Sequence, residues 1–354
     1  MQDEVLNLAY EVSRVTKEKI DLIDDVMRQT HLLAINARIE AARAGSGGAA
    51  FSVVAQEMAT VASDISRLSK ELRGAIADNT QRLEQAGTGM VQRFRGARYA
   101  DLAQNAIEII DRNLYERSCD VRWWATDSAV VDAVEKSDEA ACRHACTRLE
   151  TILRSYTVYI DLWVADASGR VVATGRSGRY PRARDLDVSR TEWFRKAMST
   201  LTGDDFAVTD IETNDALDRA AVATYATAIR RGGQADGKPI GALGIFFDWA
   251  PQAAAVVKGV GLSEEEWEHC RVMLVDAGHR IIAASDETGV LRDQFALKVE
   301  TNRGYLVQGD RLVAYALTPG YETYKGLGWY GVIESRAANS AAVAQPASKA
   351  GLAA

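Results

Sequence analysis

Apolar residues in the first third of this chain recur at alternating spacings of three and four. The pattern stops at a glycine cluster and then resumes. The first run is Val5, Leu8, Val12, Val15, Leu22, Val26 and Leu33; the second is Val54, Met58, Val61, Ile65, Leu68, Leu72 and Ala75. Such spacing is a heptad seam, with polar Lys19 and Gln29 at two positions that the register would bury. The segment AGSGGAA (44–50) separates the runs, and glycine supplies the backbone conformations that reverse a chain tightly. The pattern predicts two antiparallel helices with a tip near Ser46, each arm of ~44 residues reaching ~66 Å at ~1.5 Å per residue.

Composition separates this stretch from the rest of the chain. Tyr10, Phe51, Phe94 and Tyr99 are the aromatic residues of positions 1–100, which hold no proline and carry 13 basic and 13 acidic residues. All seven tryptophans, all five prolines and the whole net charge of −7 fall in the remainder. With 354 residues, 47% of them hydrophobic and 26% charged, a packed core is expected rather than wholesale disorder. No basic face points to nucleic acid. No apolar run approaches the ~18 residues of a membrane span, and MQDEVLNLAY lacks a basic-then-apolar leader layout. Four cysteines are too few for a disulfide scaffold. A cytoplasmic location is the expectation.

The run RQTHLLAINARIEAARAGSGGAAFSVVAQEMATVA (28–62) resembles the signalling tip of methyl-accepting chemotaxis proteins. The shared letters are Gln29, Thr30, Leu33, Ala34, Asn36, Ala37, the string Ile39 to Gly45, then Phe51, Val53, Val54, Ala55 and Glu57. The resemblance covers the first 75–90 residues. It implies dimers that pack into trimers of dimers and dock the histidine kinase CheA with its adaptor CheW. By resemblance, Leu32, Ile35, Glu40 and Arg43 take trimer-contact positions, and Asn36 and Val53 face the adaptor. Glu40 and Arg43 lie three apart on one helix face, where opposite charges can pair. The family has Asn at His31, Ala at Arg38, and often Phe at Arg28. Ser46 and Ala49 stand where it carries a carboxylate and a guanidinium, so weaker kinase coupling is expected. The short arms lack paired Glu/Gln sites, so methylation is not expected.

Beyond the hairpin, Gly87, Gly89 and Gly96 mark either a hinge or close backbone approach. Residues 100–135 have a helical apolar face of Leu102, Ala106, Ile109, Ile110, Leu114 and Val121, and 138–156 form another amphipathic helix. Cys142 and Cys146 share a face of that helix but His144 does not, so no metal is expected. Two segments then repeat. LWVADASGRVVATG (162–175) and MLVDAGHRIIAASD (273–286) each read as strand, tight turn and strand, and IGALGIFFDW (240–249) pairs in kind with GLGWYGVIES (326–335).

Each copy fits a PAS-like antiparallel sheet, and 100–335 resembles a double Cache (dCache) sensor. The resemblance places a small-ligand site in the first unit, at Arg190, Trp193, Phe194 and Asp210. A guanidinium can grip a carboxylate, aromatic rings can wall a pocket, and an Asp can pair an ammonium group. Thr191 stands where amino-acid-binding members carry a basic residue, and Phe194 where they carry Tyr, which points away from an amino-acid ligand. Tyr225 and Asp248 are further candidates; strand alternation places Tyr225 beside Ala221, Ala223 and Thr227.

The expected fold is α+β: an antiparallel coiled-coil helical hairpin (1–95), connecting helices (96–158), two tandem PAS-like antiparallel sheets on a long helix (159–258 and a smaller 259–336), and a disordered tail (337–354). The expected function is that of a cytoplasmic, homodimeric, non-enzymatic transducer without metal or cofactor. The alternative is an interaction or scaffold protein whose hairpin is only a dimerisation stalk. The altered turn favours the alternative, and the retained Glu40, Arg43 and Asn36 favour signalling.

Overall fold

The structure, a computed structural model, describes residues 2–336; the expected tail lies outside them. The chain divides into two compact units between Arg95 and Gly96.

In the first unit, helix α1 (Gln2–Arg43) leads through a 3-10 turn (Gly45–Gly48) into helix α2, which spans Ala49–Trp124. Arg73 reaches back from α2 to Asp21 and Asp24 of α1, at 2.5 and 2.6 Å, which fixes the antiparallel register. The arms meet mostly through small side chains, with Ile20 the large exception. Ile20, Ala34 and Ala41 of α1 are buried together with Gly48 and with Ala55, Ala59, Ala62 and Ser69 of α2. The large residues of the heptad seam lie outside this contact. Val12, Val15, Leu22, Val26 and Leu33 are 41–64% exposed, as are Val54, Val61, Leu68 and Leu72. Alanine lets two backbones approach closely, so the large residues of the heptads turn outward instead.

In the second unit the last part of α2 is the spine. Its Tyr99, Ala103, Ile107, Ile110, Leu114 and Val121 are buried, whereas Ile109, expected on that face, is 41% exposed. Gly96 lies within α2 against the ring of Tyr305, a close approach that a Cβ would block. The helix expected to reach residue 135 stops at Trp124. Asp127 accepts from the Ala129 amide and starts a separate helix α3 (Ser128–Glu135); Asp138 likewise caps α4 (Glu139–Ser155).

Two antiparallel sheets come next. The first contains β1 (Tyr159–Asp166), β2 (Val171–Thr174), β3 (Ala207–Val208), β4 (Glu212–Asn214), β5 (Ala220–Arg230) and β6 (Pro239–Asp248), in the order β2-β1-β6-β5-β3 with β4 also on β5. Helix α5 (Glu192–Met198) lies in the excursion between β2 and β3, and α6 (Trp249–Lys258) and α7 (Glu264–Trp267) lead onward. The second sheet contains β7 (Cys270–Val275), β8 (Ile281–Ala284), β9 (Arg303–Gln308), β10 (Arg311–Leu317) and β11 (Tyr330–Arg336), in the order β8-β7-β11-β10-β9. The order is that of the first sheet, as the repeated segments imply.

One core joins α2, α3 and α4 to the inner faces of both sheets. Separate cores cover the outer faces. Trp163, Trp193, Phe194 and Phe246 lie in the core of the first sheet, and Met273, Tyr315 and Val332 in that of the second. The expected α+β architecture of a long helix followed by two antiparallel sheets is therefore present.

Candidate functional site

The first candidate surface is the hairpin tip. Leu32, Ile35 and Val53 are 59%, 39% and 64% exposed, and Asn36, Glu40 and Arg43 are exposed with them. Glu40 and Arg43 form an intrahelical ion pair of 2.8 Å. Solvent screens such an exposed pair, so it adds little to stability. Phe51 is 73% exposed near Val53. Large apolar groups and paired charges thus stand together on helix faces that no described residue of this unit covers.

The second is the outer face of the first sheet. Trp193 and Phe194 open α5 and are buried, with ring centroids 5.9 Å apart; Trp193 meets Phe246 edge-on at 6.0 Å. Trp163 lies 4.2 Å from Phe246. Gly244 of β6 leaves room for the Trp193 ring, since a Cβ there would stand about 3.0 Å from it. Arg190, just before α5, is exposed.

Of the other residues singled out from the sequence, Asp248 ends β6 opposite Val222 of this outer core. Its burial pushes its carboxyl up, opposed by Arg179 and Arg176 nearby. Tyr225 lies on the opposite face, in the inner core, as do Ala223 and, partly buried, Ala221. Its hydroxyl lies 3.4 Å from that of Tyr324, and burial raises its pKa well above the ordinary tyrosine value. Asp210 sits at the junction of the two sheets, 4.0 Å from Arg280, with its side chain 49% exposed. The structure therefore brings Trp193, Phe194 and Asp248 to one face of the first sheet and places Tyr225 on the other.

The same outer face holds polar groups that the sequence reasoning passed over. Asp161 is fully buried opposite Phe246; it accepts from the indole of Trp163 and the amides of Leu162 and Gly175, at 2.9, 2.9 and 3.0 Å. Burial outweighs these bonds and pushes its carboxyl to about 6. Thr224, opposite Phe246 on the other side, and Thr209 are buried with hydroxyls that make no hydrogen bond. A buried hydroxyl without a partner costs about 1–3 kcal/mol, so a polar guest on this face would be favoured. The available signal was a lone acid in the apolar strand YIDLWVA.

Known proteins sort along the same division. Residues 2–116 match the family model of the methyl-accepting chemotaxis protein signalling domain, farther than the resemblance at the tip reached. Over 66 residues the chain is 44% identical to methyl-accepting chemotaxis protein IV of Escherichia coli, covering 19% of this chain and 12% of that protein. Over 115 residues it is 31% identical to the methyl-accepting chemotaxis aspartate transducer of Klebsiella aerogenes, covering 31% of this chain and 21% of the relative. The chain thus spans at most about a fifth of the length of these two relatives.

Among solved structures, the ligand-binding domain of the Campylobacter jejuni chemoreceptor Tlp3, in complex with 4-methylisoleucine, superposes with a TM-score of 0.51 at 18% identity. That match covers 72% of this chain and 94% of the domain. Another structure of the Tlp3 sensory domain gives 0.50 at 17% identity, over 68% of this chain and 93% of the domain. At such identities the likeness is one of fold. The chain carries a stretch homologous to the chemoreceptor signalling domain, followed by an α+β region with the fold of Cache-like sensor domains.

Proposed function

We propose that this protein is a cytoplasmic sensory transducer. Its two-sheet region of the double Cache type holds a small molecule, and its hairpin, as a homodimer, controls the histidine kinase CheA through the adaptor CheW. The observation that carries this reading is the exposed tip. Leu32, Ile35 and Val53 are uncovered beside the Glu40–Arg43 pair, on a stretch homologous to chemoreceptor signalling domains. A stalk alone would not need such a surface at its turn.

The outer face of the first sheet supports the sensory half. Trp193 and Phe194 form its wall, and the unpartnered Thr209 and Thr224 hydroxyls supply polar recognition. Thr191 and Phe194 at the altered positions favour a polar ligand other than an amino acid. A ligand acts by binding one arrangement of the protein more tightly than another.

The test is reconstitution of CheA and CheW with the full chain, measuring kinase autophosphorylation. The expected result is a change in rate, smaller than a conventional receptor gives because Ser46 and Ala49 lack charge. That change is lost in Ile35→Glu and enhanced in Ser46→Glu/Ala49→Arg. Unaltered kinase activity with the parent and with the charge-restored variant would leave the scaffold alternative.

A further inference from the structure

A cavity of ≈ 440 Å³ lies at the β2 edge of the first sheet, and its size suits a small ligand. It opens between the exposed side of α4 and the loop after β2, GRSGR (175–179). Its polar wall consists of Glu150, Arg154, Thr174, Arg176, Ser177 and Arg179.

Charge decides what this wall accepts. Among the described residues, none of the three arginines is in an ion pair. Arg154 donates to the hydroxyl of Thr151 at 3.1 Å, and Arg179 lies over the ring of Tyr180 at 5.2 Å. Glu150 is the one carboxylate among the lining residues. Asp248 interacts electrostatically with Arg179 and Arg176 but forms an ion pair with neither. Thr174 is 2% exposed, lines the cavity, and has a hydroxyl without a hydrogen-bond partner. Three guanidinium forks and the hydroxyls of Thr174 and Ser177 present mostly donors, the Thr147 hydroxyl being taken up by the Arg143 carbonyl. A tetrahedral dianion with several acceptor oxygens suits them better than a single carboxylate does.

We propose that this cavity binds a small organic phosphate. The phosphoryl group is held by Arg154, Arg176 and Arg179 with Thr174, and the organic part lies along α4 beside Cys146 and Thr147. The loop carrying Arg176 also holds the buried carboxylate, since the Gly175 amide donates to Asp161. Occupation here therefore bears directly on the first sheet.

Isothermal titration of the full chain with glucose 6-phosphate and with inorganic phosphate tests this, with glucose as the uncharged control. Both phosphates are expected to bind and glucose is not. Affinity should fall at least tenfold in Arg176→Gln and beyond detection in Arg154→Gln/Arg176→Gln/Arg179→Gln, with melting temperatures held close to the parent. Thr174→Val should weaken binding several-fold; should that variant fail to fold, the surface arginine variants decide alone. Absence of binding by either phosphate at millimolar concentration would overturn the proposal, as would undiminished binding by the folded triple variant. Loss of binding in a folded Trp193→Phe with retention in the triple variant would place the phosphate on the outer face and overturn it equally. Tricarballylate binding as tightly as glucose 6-phosphate would overturn the assignment to phosphate.

Discussion

Asp161 shows at the scale of one residue how burial and hydrogen bonding compete. Three N–H groups donate to its carboxylate, which favours ionisation, yet full burial raises it from the ordinary value near 4 to about 6. Because the folded-state value is the higher one, the native protein binds more protons than the unfolded chain between roughly pH 4 and 6. Stability from this group is present below pH 4 and is lost as pH rises through 6. Asp161→Asn removes the titration. Denaturant unfolding of both proteins from pH 4 to 7.5 should show the parent's stability, relative to the variant, falling by roughly 2–3 kcal/mol at ~1.4 kcal/mol per pH unit. A difference that is flat or grows with pH would mean that the three donors, not burial, govern the group. Elsewhere at this scale, Trp193 and Phe194 were singled out through the resemblance to the double Cache family, whereas Asp161 passed as a strand residue. Which face of β5 meets the long helix is a property of sheet packing. Alternation therefore gave Tyr225 its neighbours but not its separation from Trp193.

At the scale of elements, the internal repeat reaches individual hydrogen bonds. Asp166 ends β1 and accepts from the amides of Ser168 and Arg170; Asp276, just after β7, accepts from those of Gly278 and Arg280. Each hairpin also carries an irregularity at the same place, between Val164 and Ala165 and between Leu274 and Val275. The fourth turn residue differs. Gly169 has φ +87° and His279 φ +63°, so both occupy the left-handed region. Histidine tolerates it better than β-branched residues do. A Cβ at Gly169 would lie 2.6 Å from the backbone of Ser189, which closes over the first turn. Gly169→Ala should therefore destabilise by more than ~1 kcal/mol, and His279→Gly should stay within about 1 kcal/mol of the parent. Equal effects in unfolding experiments would show that the two turns are not under different constraint. The repeat was legible because its turn residues and β-branched pairs are local signals. The break at Trp124 was not, because helix periodicity continues through Ala125–Asp127 and only the Asp127 cap marks the restart.

At the scale of the whole molecule, the hairpin poses a problem of burial. The heptads were legible as a helical pair, but periodicity cannot say which stripe closes the hairpin. The alanine stripe does so, leaving Leu22, Val26, Leu33, Leu68 and Leu72 each at least 48% exposed. Exposed large apolar residues at heptad spacing on both arms form a stripe of the kind that a four-helix arrangement buries, at about 25 cal/mol per Å² removed from water. A second copy of the same hairpin supplies the matching stripe, since a two-fold interface presents each patch to itself. Light scattering should give twice the chain mass at micromolar concentration. Leu22→Lys/Leu72→Lys should shift it to the monomer, because a charge on each arm would have to be buried or left facing its like. The intrahelical and interarm ion pairs, including Arg73 with Asp21 and Asp24, are untouched by these substitutions. Helical content by circular dichroism should therefore fall only in proportion to lost association. A parent protein that is monomeric at that concentration, or a double variant that remains dimeric, would show that something other than a second hairpin covers the stripe.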